Sequence, residues 1–220
     1  MSAGSGVRRV LAVAGCCLAL AGCTSSGSTD TRAALKGVLL QLSDFPPSWR
    51  SFPASGPDID VLTDLAKCTG DQHRGERREL VRSGTFRNGA QRIASTAVSF
   101  DTQQDVSDRV AAIGNQKTPD CLGGILDAAV RDAVPGATPV HSTYHAIAGA
   151  INAAVNLVGT ADGVVTVNGD GGSRKVYVDV SFVTGHNFYA YVTFIGVGKR
   201  ISSRIRTIVT TDVASRGQHV

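Results

Sequence analysis

No stretch of about 20 consecutive apolar residues, the length that a membrane-spanning helix takes, occurs in these 220 residues. No Gly-X-Ser-X-Gly segment is present, so the strained elbow that presents a hydrolase serine is excluded. No Cys-X-X-Cys pair offers a low-pKa redox thiol. Charge of one sign is scarce as well. Lys and Arg number 22 against 18 Asp and Glu, and a net charge of +4 gives no electrostatic footprint for nucleic acid. Aromatic residues are only 5% of the chain and include a single tryptophan, Trp49, so any cluster of rings stands out. No internal repeat and no dividing linker is found, which leaves one domain large enough to bury its own core.

What is present is concentrated at the start. Arg8 and Arg9 precede an apolar run from Val10 to Leu20, followed by Leu20-Ala21-Gly22-Cys23. A basic start, a short apolar run and small residues before a cleavage point make a secretory signal peptide. The Leu-Ala-Gly-Cys ending resembles the lipobox of bacterial lipoproteins. That resemblance implies a diacylglyceryl group on the Cys23 thiol, removal of residues 1–22, and a protein held on the outer face of the cell membrane. The alternative is an ordinary secreted protein with a chance cysteine. Loss of Arg8 and Arg9 lowers the net charge from +4 to +2. Thr24 to Thr29 is small and polar, so residues 23–30 read as a flexible lipidated tether and 31–220 as the extracytoplasmic domain.

Once Cys16 and Cys17 leave with the signal and Cys23 takes the lipid, Cys68 and Cys121 remain. In an oxidising compartment they have one possible connectivity, a Cys68–Cys121 disulfide. Two buried free thiols or a reactive redox pair are the alternatives.

Helical periodicity starts at Thr31, with Leu35, Val38, Leu39 and Leu42 on one face, and Pro46-Pro47 stops it. A second helix is expected over Asp58–Cys68, with Gly70 past its end. Residues 73–92 are Arg-rich and read as surface loop running into a strand over Arg92–Phe100. Gln103–Asn115 is amphipathic. Thr118-Pro119-Asp120 opens a helix with a hydroxyl cap, a proline in the first turn and an acid against the positive helix end. Val140–Ile147 and Ile151–Thr160 are strand-like, punctuated by Asp162-Gly163 and by Asn168 to Gly172. Val176, Val178, Val180 and Phe182 alternate with Tyr177, Asp179 and Ser181. After a turn at Gly185-His186, Phe188, Ala190, Val192 and Phe194 continue the alternation to Ile195. A last helix from Ile201 puts Ile205, Ile208 and Val209 inward and Arg200, Arg204 and Arg206 outward. The pattern predicts an α+β fold, an antiparallel sheet packed by helices on one face.

The hairpin Val176–Val183 and Phe188–Phe194, with its following helix ending Val213-Ala214-Ser215-Arg216, resembles the closing elements of actinobacterial lipoproteins. The early segment Leu39-Leu40-Gln41-Leu42-Ser43-Asp44-Phe45-Pro46-Pro47-Ser48-Trp49 is similar to theirs. Those proteins and the extracellular sensor domain of PknH-type kinases also pair a cysteine soon after that segment with one in a mid-chain helix. The resemblance implies a sheet clasped by helices, related to the PsbP-like fold. It offers no catalytic residue, so the chain is read as non-enzymatic, with no cofactor.

Other constellations are weak. Gly169 to Lys175 resembles a phosphate loop but precedes a strand, not a helix. Asn168 and Asp170 supply too few carboxylates for calcium. His141 and His145 would share a zinc only on a helix; on a strand they stand about 13 Å apart, and His73 or an acid would have to complete the site. Arg74, Arg77, Arg78, Arg82, Arg87 and Arg92, against Glu76 and Glu79, read either as a docking patch for anionic envelope surface or as a solvated charged face. The candidate binding face comprises Tyr177, Asp179, Tyr189 and Tyr191, opposite the apolar face of the hairpin and near Trp49; packing under a helix is its alternative. The expected function is a membrane-anchored domain that binds a protein or lipid ligand in the cell envelope. A lipid carrier, or an envelope enzyme with a dispersed site, is the rival.

Overall fold

The computed structural model describes residues 26–54, 58–70, 76–136, 138–152, 156–169 and 172–220. Cys23, Arg74, His73 and Asp170 lie outside them. The chain is a single α+β domain; the described residues form an eight-stranded antiparallel sheet and five α-helices.

Helix α1 spans Ser26–Val38, and a 3-10 turn at Leu42–Asp44 leads to the short strand β1, Arg50–Phe52. The helix starts five residues before the sequence pattern places it, so the part of the expected tether from Ser26 on is helical. Helix α2, Val61–Thr69, is capped by Asp60, whose carboxylate accepts the Thr63 amide, and ends at Gly70 in the left-handed region at φ 88°. The Arg-rich stretch, expected mostly as loop, holds two strands, β2 Glu79–Arg82 and β3 Thr85–Asn88, before β4 Gln91–Ser99. Helix α3 is Gln103–Ala111, capped by Thr102; helix α4 is Thr118–Ala133. Thr118 is the first residue of α4 and not its cap: its hydroxyl donates back to the Ala112 carbonyl at 2.7 Å. Four long strands follow, β5 Thr138–Asn152, β6 Leu157–Gly169, β7 Gly172–Thr184 and β8 Phe188–Val197, then helix α5, Ser203–Gly217.

The sheet order is β1-β3-β4-β8-β7-β6-β5, with β2 also pairing β4. Asp162-Gly163 is not a turn but the middle of β6. Gly163 lies opposite Tyr144 in register, and a Cβ there would come 2.3 Å from the Tyr144 ring. The glycine makes room for a cross-strand ring.

Helices cover both faces of the sheet, not one. On the first face, α2, α3 and α4 bury Val98, Val178, Val180, Phe182 and Tyr189 among others. On the second, α1, α5 and the segment through Trp49 bury Ile93, Ala97, Val192, Phe194 and Phe188. Strand β8 explains why. Nearly every one of its residues is apolar and buried, so neither of its faces is left to water. Cys68 and Cys121 form a disulfide with Cα atoms 5.9 Å apart, joining the last turn of α2 to the first turn of α4 over the first face.

Candidate functional site: an apolar cleft beneath helix α4

The residues expected to form one binding face are divided by the register of the β7–β8 hairpin. Asp179 stands opposite Phe194, Val180 opposite Thr193, and Phe182 opposite Tyr191. Cross-strand partners share a face. Tyr189 and Tyr191 therefore lie with Val178, Val180 and Phe182 on the first face, and Tyr177 and Asp179 on the second. The four do not form a common surface. Trp49 is on the second face too, 3% exposed, its ring 5.0 Å from Phe45, which stacks on Phe86 at 4.6 Å. It is a core residue.

Tyr189 and Tyr191 are buried and serve the approach to α2. The Tyr189 hydroxyl donates to the Asp60 carboxylate, and the Tyr191 hydroxyl to the Ile59 carbonyl. Burial pushes both phenols above the ordinary tyrosine value, and the Asp60 charge adds to the rise at Tyr189. Asp60 thus caps α2, holds Tyr189 and lies 4.0 Å from Arg77. Asp179 is also buried, between Arg206 at 2.9 Å and Arg200 at 3.7 Å. Burial raises its carboxyl more than the two arginines lower it. Arg200 also reaches Asp162 at 3.0 Å and lies over the Tyr177 ring.

One opening does reach the first face. Between α4 and the end of the sheet where β4 pairs β8 lies a cleft of about 90 Å³. Its origin is the shortness of the facing side chains. Ala94 and Thr193 are register partners on the floor, and Thr96 pairs Tyr191 beside them. Ala129 and Ala133, one helical turn apart on α4, form the roof with Leu126. At the other end of the same strands Val98 and Tyr189 fill the equivalent space. The alternation of β4 and β8 was readable in sequence, but this pairing of small with small depended on register and was missed. The Ala129/Ala133 spacing was its one local sign.

The rim is basic. Arg92 donates to the Asp132 carbonyl at 3.0 Å, and burial, then its cross-strand partner Arg87, lowers its pKa from the usual arginine value. Arg87 lies over the Phe52 ring at 4.8 Å, with its Nε buried and without a hydrogen-bond partner. Arg82 pairs with Asp58 at 3.1 Å, where the Asp58 side chain is 72% exposed. Arg78 pairs with Asp101. Of the Arg-rich segment, then, Arg77 and Arg78 serve internal contacts, Arg82 and Arg92 line the cleft, and Arg87 stands beside Arg92 on β3.

His141 and His145 are exposed on β5, and among the described residues no three His, Cys, Asp or Glu side chains gather as a metal site. Among those residues, too, no helix is long and apolar enough to cross a membrane.

No protein-family model and no curated protein matches the chain. Among solved structures it is weakly similar to an uncharacterized protein from Mycobacterium smegmatis, the Rv0999 ortholog, at 13% identity and TM-score 0.38, over 79% of this chain and 92% of that one. It is weakly similar also to the extracellular domain of PknH from Mycobacterium tuberculosis, at 11% identity and TM-score 0.33, over 76% and 98%. Neither likeness assigns a role to any residue.

Proposed function

We propose that the protein is a non-catalytic binding domain, exported by its signal peptide and tethered to the outer face of the membrane through Cys23, and that it takes a protein partner through the α4 cleft. The tether rests on the Leu20-Ala21-Gly22-Cys23 ending, and the oxidising location agrees with the Cys68–Cys121 disulfide.

The observation that carries the binding reading is the size and lining of the cleft. A cavity of about 150 Å³ holds one benzene, and small-molecule sites run to about 300 Å³ and above. A space of about 90 Å³ takes one side chain of a partner, not an acyl chain, so this cleft is not suited to lipid carriage. An apolar floor with Arg82, Arg92 and Asp132 at the rim suits an apolar anchor residue with charged flanks, the arrangement by which a few pocketed residues dominate an interface.

Native mass spectrometry of the protein taken from its own envelope tests this. The expected result is a protein complex with no co-purifying lipid, which dissociates in an Ala129→Met variant that fills the cleft and in Arg92→Gln, while the folded domain persists. A stoichiometric lipid, or a complex indifferent to both substitutions, contradicts the proposal.

A further inference from the structure

The two ends of the sheet differ in length and charge. At one end lies β1, three residues long and opening on Arg50. At the other lies β5, fifteen residues long, and among the described residues no strand pairs its outer side. A free edge is a row of unpaired amides and carbonyls, and proteins guard it with shortness, charge or a covering element. Strand β1 is both short and charged. Strand β5 is neither: Thr138–Asn152 contains no Asp, Glu, Lys or Arg, in a chain where these are 18% of the residues. Its one proline, Pro139, stands near its start.

Apolar exposure is concentrated on the same strand. Among the described residues, the two most exposed large apolar side chains are Ile147 at 61% and Val140 at 55%, both on β5. Pairing to β6 runs unbroken from His141 to Ala148, with a register shift on either side. Such a regular stretch spans about 27 Å, and the irregularities at its ends delimit where another strand can add.

We infer that β5 is a self-association edge, which pairs antiparallel with β5 of a second copy to make one continuous sheet. Self-complementarity selects the second copy. The strand has no carboxylate, lysine or arginine with which to choose a charged partner, and none to repel its own copy. A two-fold pairing also uses both long edges at once and leaves the short β1 edges outward, so the assembly closes instead of growing. Rotation about an axis normal to the sheet keeps every side chain on its own face, and opposite residues share a face. The axis therefore passes at a residue, and the middle of the regular stretch offers Tyr144 or His145. In either register the exposed Ile147 is laid against His141 or Thr143 of the other copy. The inference uses neither the α4 cleft nor the Cys23 anchor.

The test is sedimentation velocity of the full chain in detergent across the micromolar range, with amide hydrogen exchange at its two limits. A monomer–dimer equilibrium with a midpoint on the order of 10 μM is expected for an interface this small. Amides of alternate residues within 141–148 should exchange severalfold more slowly in the dimer. His145→Lys sets like charges opposite or diagonal across the seam in either register and should weaken dimerisation about tenfold. Thr143→Lys, at a second exposed position, should weaken it too, and the monomer's unfolding midpoint should hold in both variants. A chain that stays monomeric throughout, a dimer indifferent to both lysines, or a dimer whose 141–148 amides exchange as in the monomer overturns the assignment. Protection of those amides only in the native envelope, without a dimer, indicates a foreign strand and overturns it as well.

Discussion

Tyr189 and Tyr191 show what alternation in a sequence does and does not fix. Strand period is legible, because Val176 to Phe182 and Phe188 to Phe194 are apolar at every second position. The phase between two strands is not, because it is set by the turn. Here Thr184 pairs with Tyr189, which sets even-numbered residues of β7 against odd-numbered residues of β8. Tyr191 therefore joins Phe182, with ring centroids 6.2 Å apart, and Tyr177 goes to the other face. The buried phenols have a measurable consequence. Burial raises Tyr144, Tyr189 and Tyr191 above the ordinary tyrosine value of about 10. On raising the pH the unfolded chain loses these protons first, so the stability their burial confers is complete below about pH 10 and is lost as pH climbs toward the folded values. Urea titrations should show stability falling by up to about 4 kcal/mol per pH unit there, from three groups at about 1.4 kcal/mol each. Tyr189→Phe should flatten the slope. A stability that stays level from pH 10 upward contradicts the burial of these rings.

Among the elements, those bounded by local chemistry were the legible ones. Asp60 and Gly70 delimit α2, and Thr118-Pro119 opens α4, near where the residues themselves place them. Elements whose signal is tertiary were not. Strands β2 and β3 are four residues each, and pairing to β4 makes them strands. Helix α5 was legible in part: Ile205 and Val209 pack against the sheet as the pattern places them, whereas Ile208 is exposed and Arg206 turns in to Asp179. The Cys68–Cys121 bond unites two legible helices and fixes α4 over its cleft. Closing a loop of 53 residues stabilises by about 4 kcal/mol in the chain-entropy model. The double variant Cys68→Ala/Cys121→Ala should lower the urea midpoint accordingly, and reduction should lower it for the native pair alone. Equal midpoints for oxidised and reduced protein would count against a structural disulfide.

For the whole molecule, the α+β class and the antiparallel hairpin followed from sequence, and the covering of both faces did not. A continuous apolar strand such as β8 signals burial on two sides, yet only the assembled sheet shows that α1 and α5 take one face and α2, α3 and α4 the other. The cleft beneath Ala129 and Ala133 is a product of that assembly, and no contiguous motif betrays it. The reading of the protein as an anchored extracytoplasmic domain rests on Cys23 and on the oxidised pair, and one measurement addresses both. Intact mass of the chain purified from the membranes of cells that export it, before and after reduction and alkylation, should give a polypeptide beginning at Cys23 with added acyl mass. Cys68 and Cys121 should alkylate only after reduction. A polypeptide that keeps residues 1–22, carries no acyl group and alkylates at both cysteines without reductant would contradict the account.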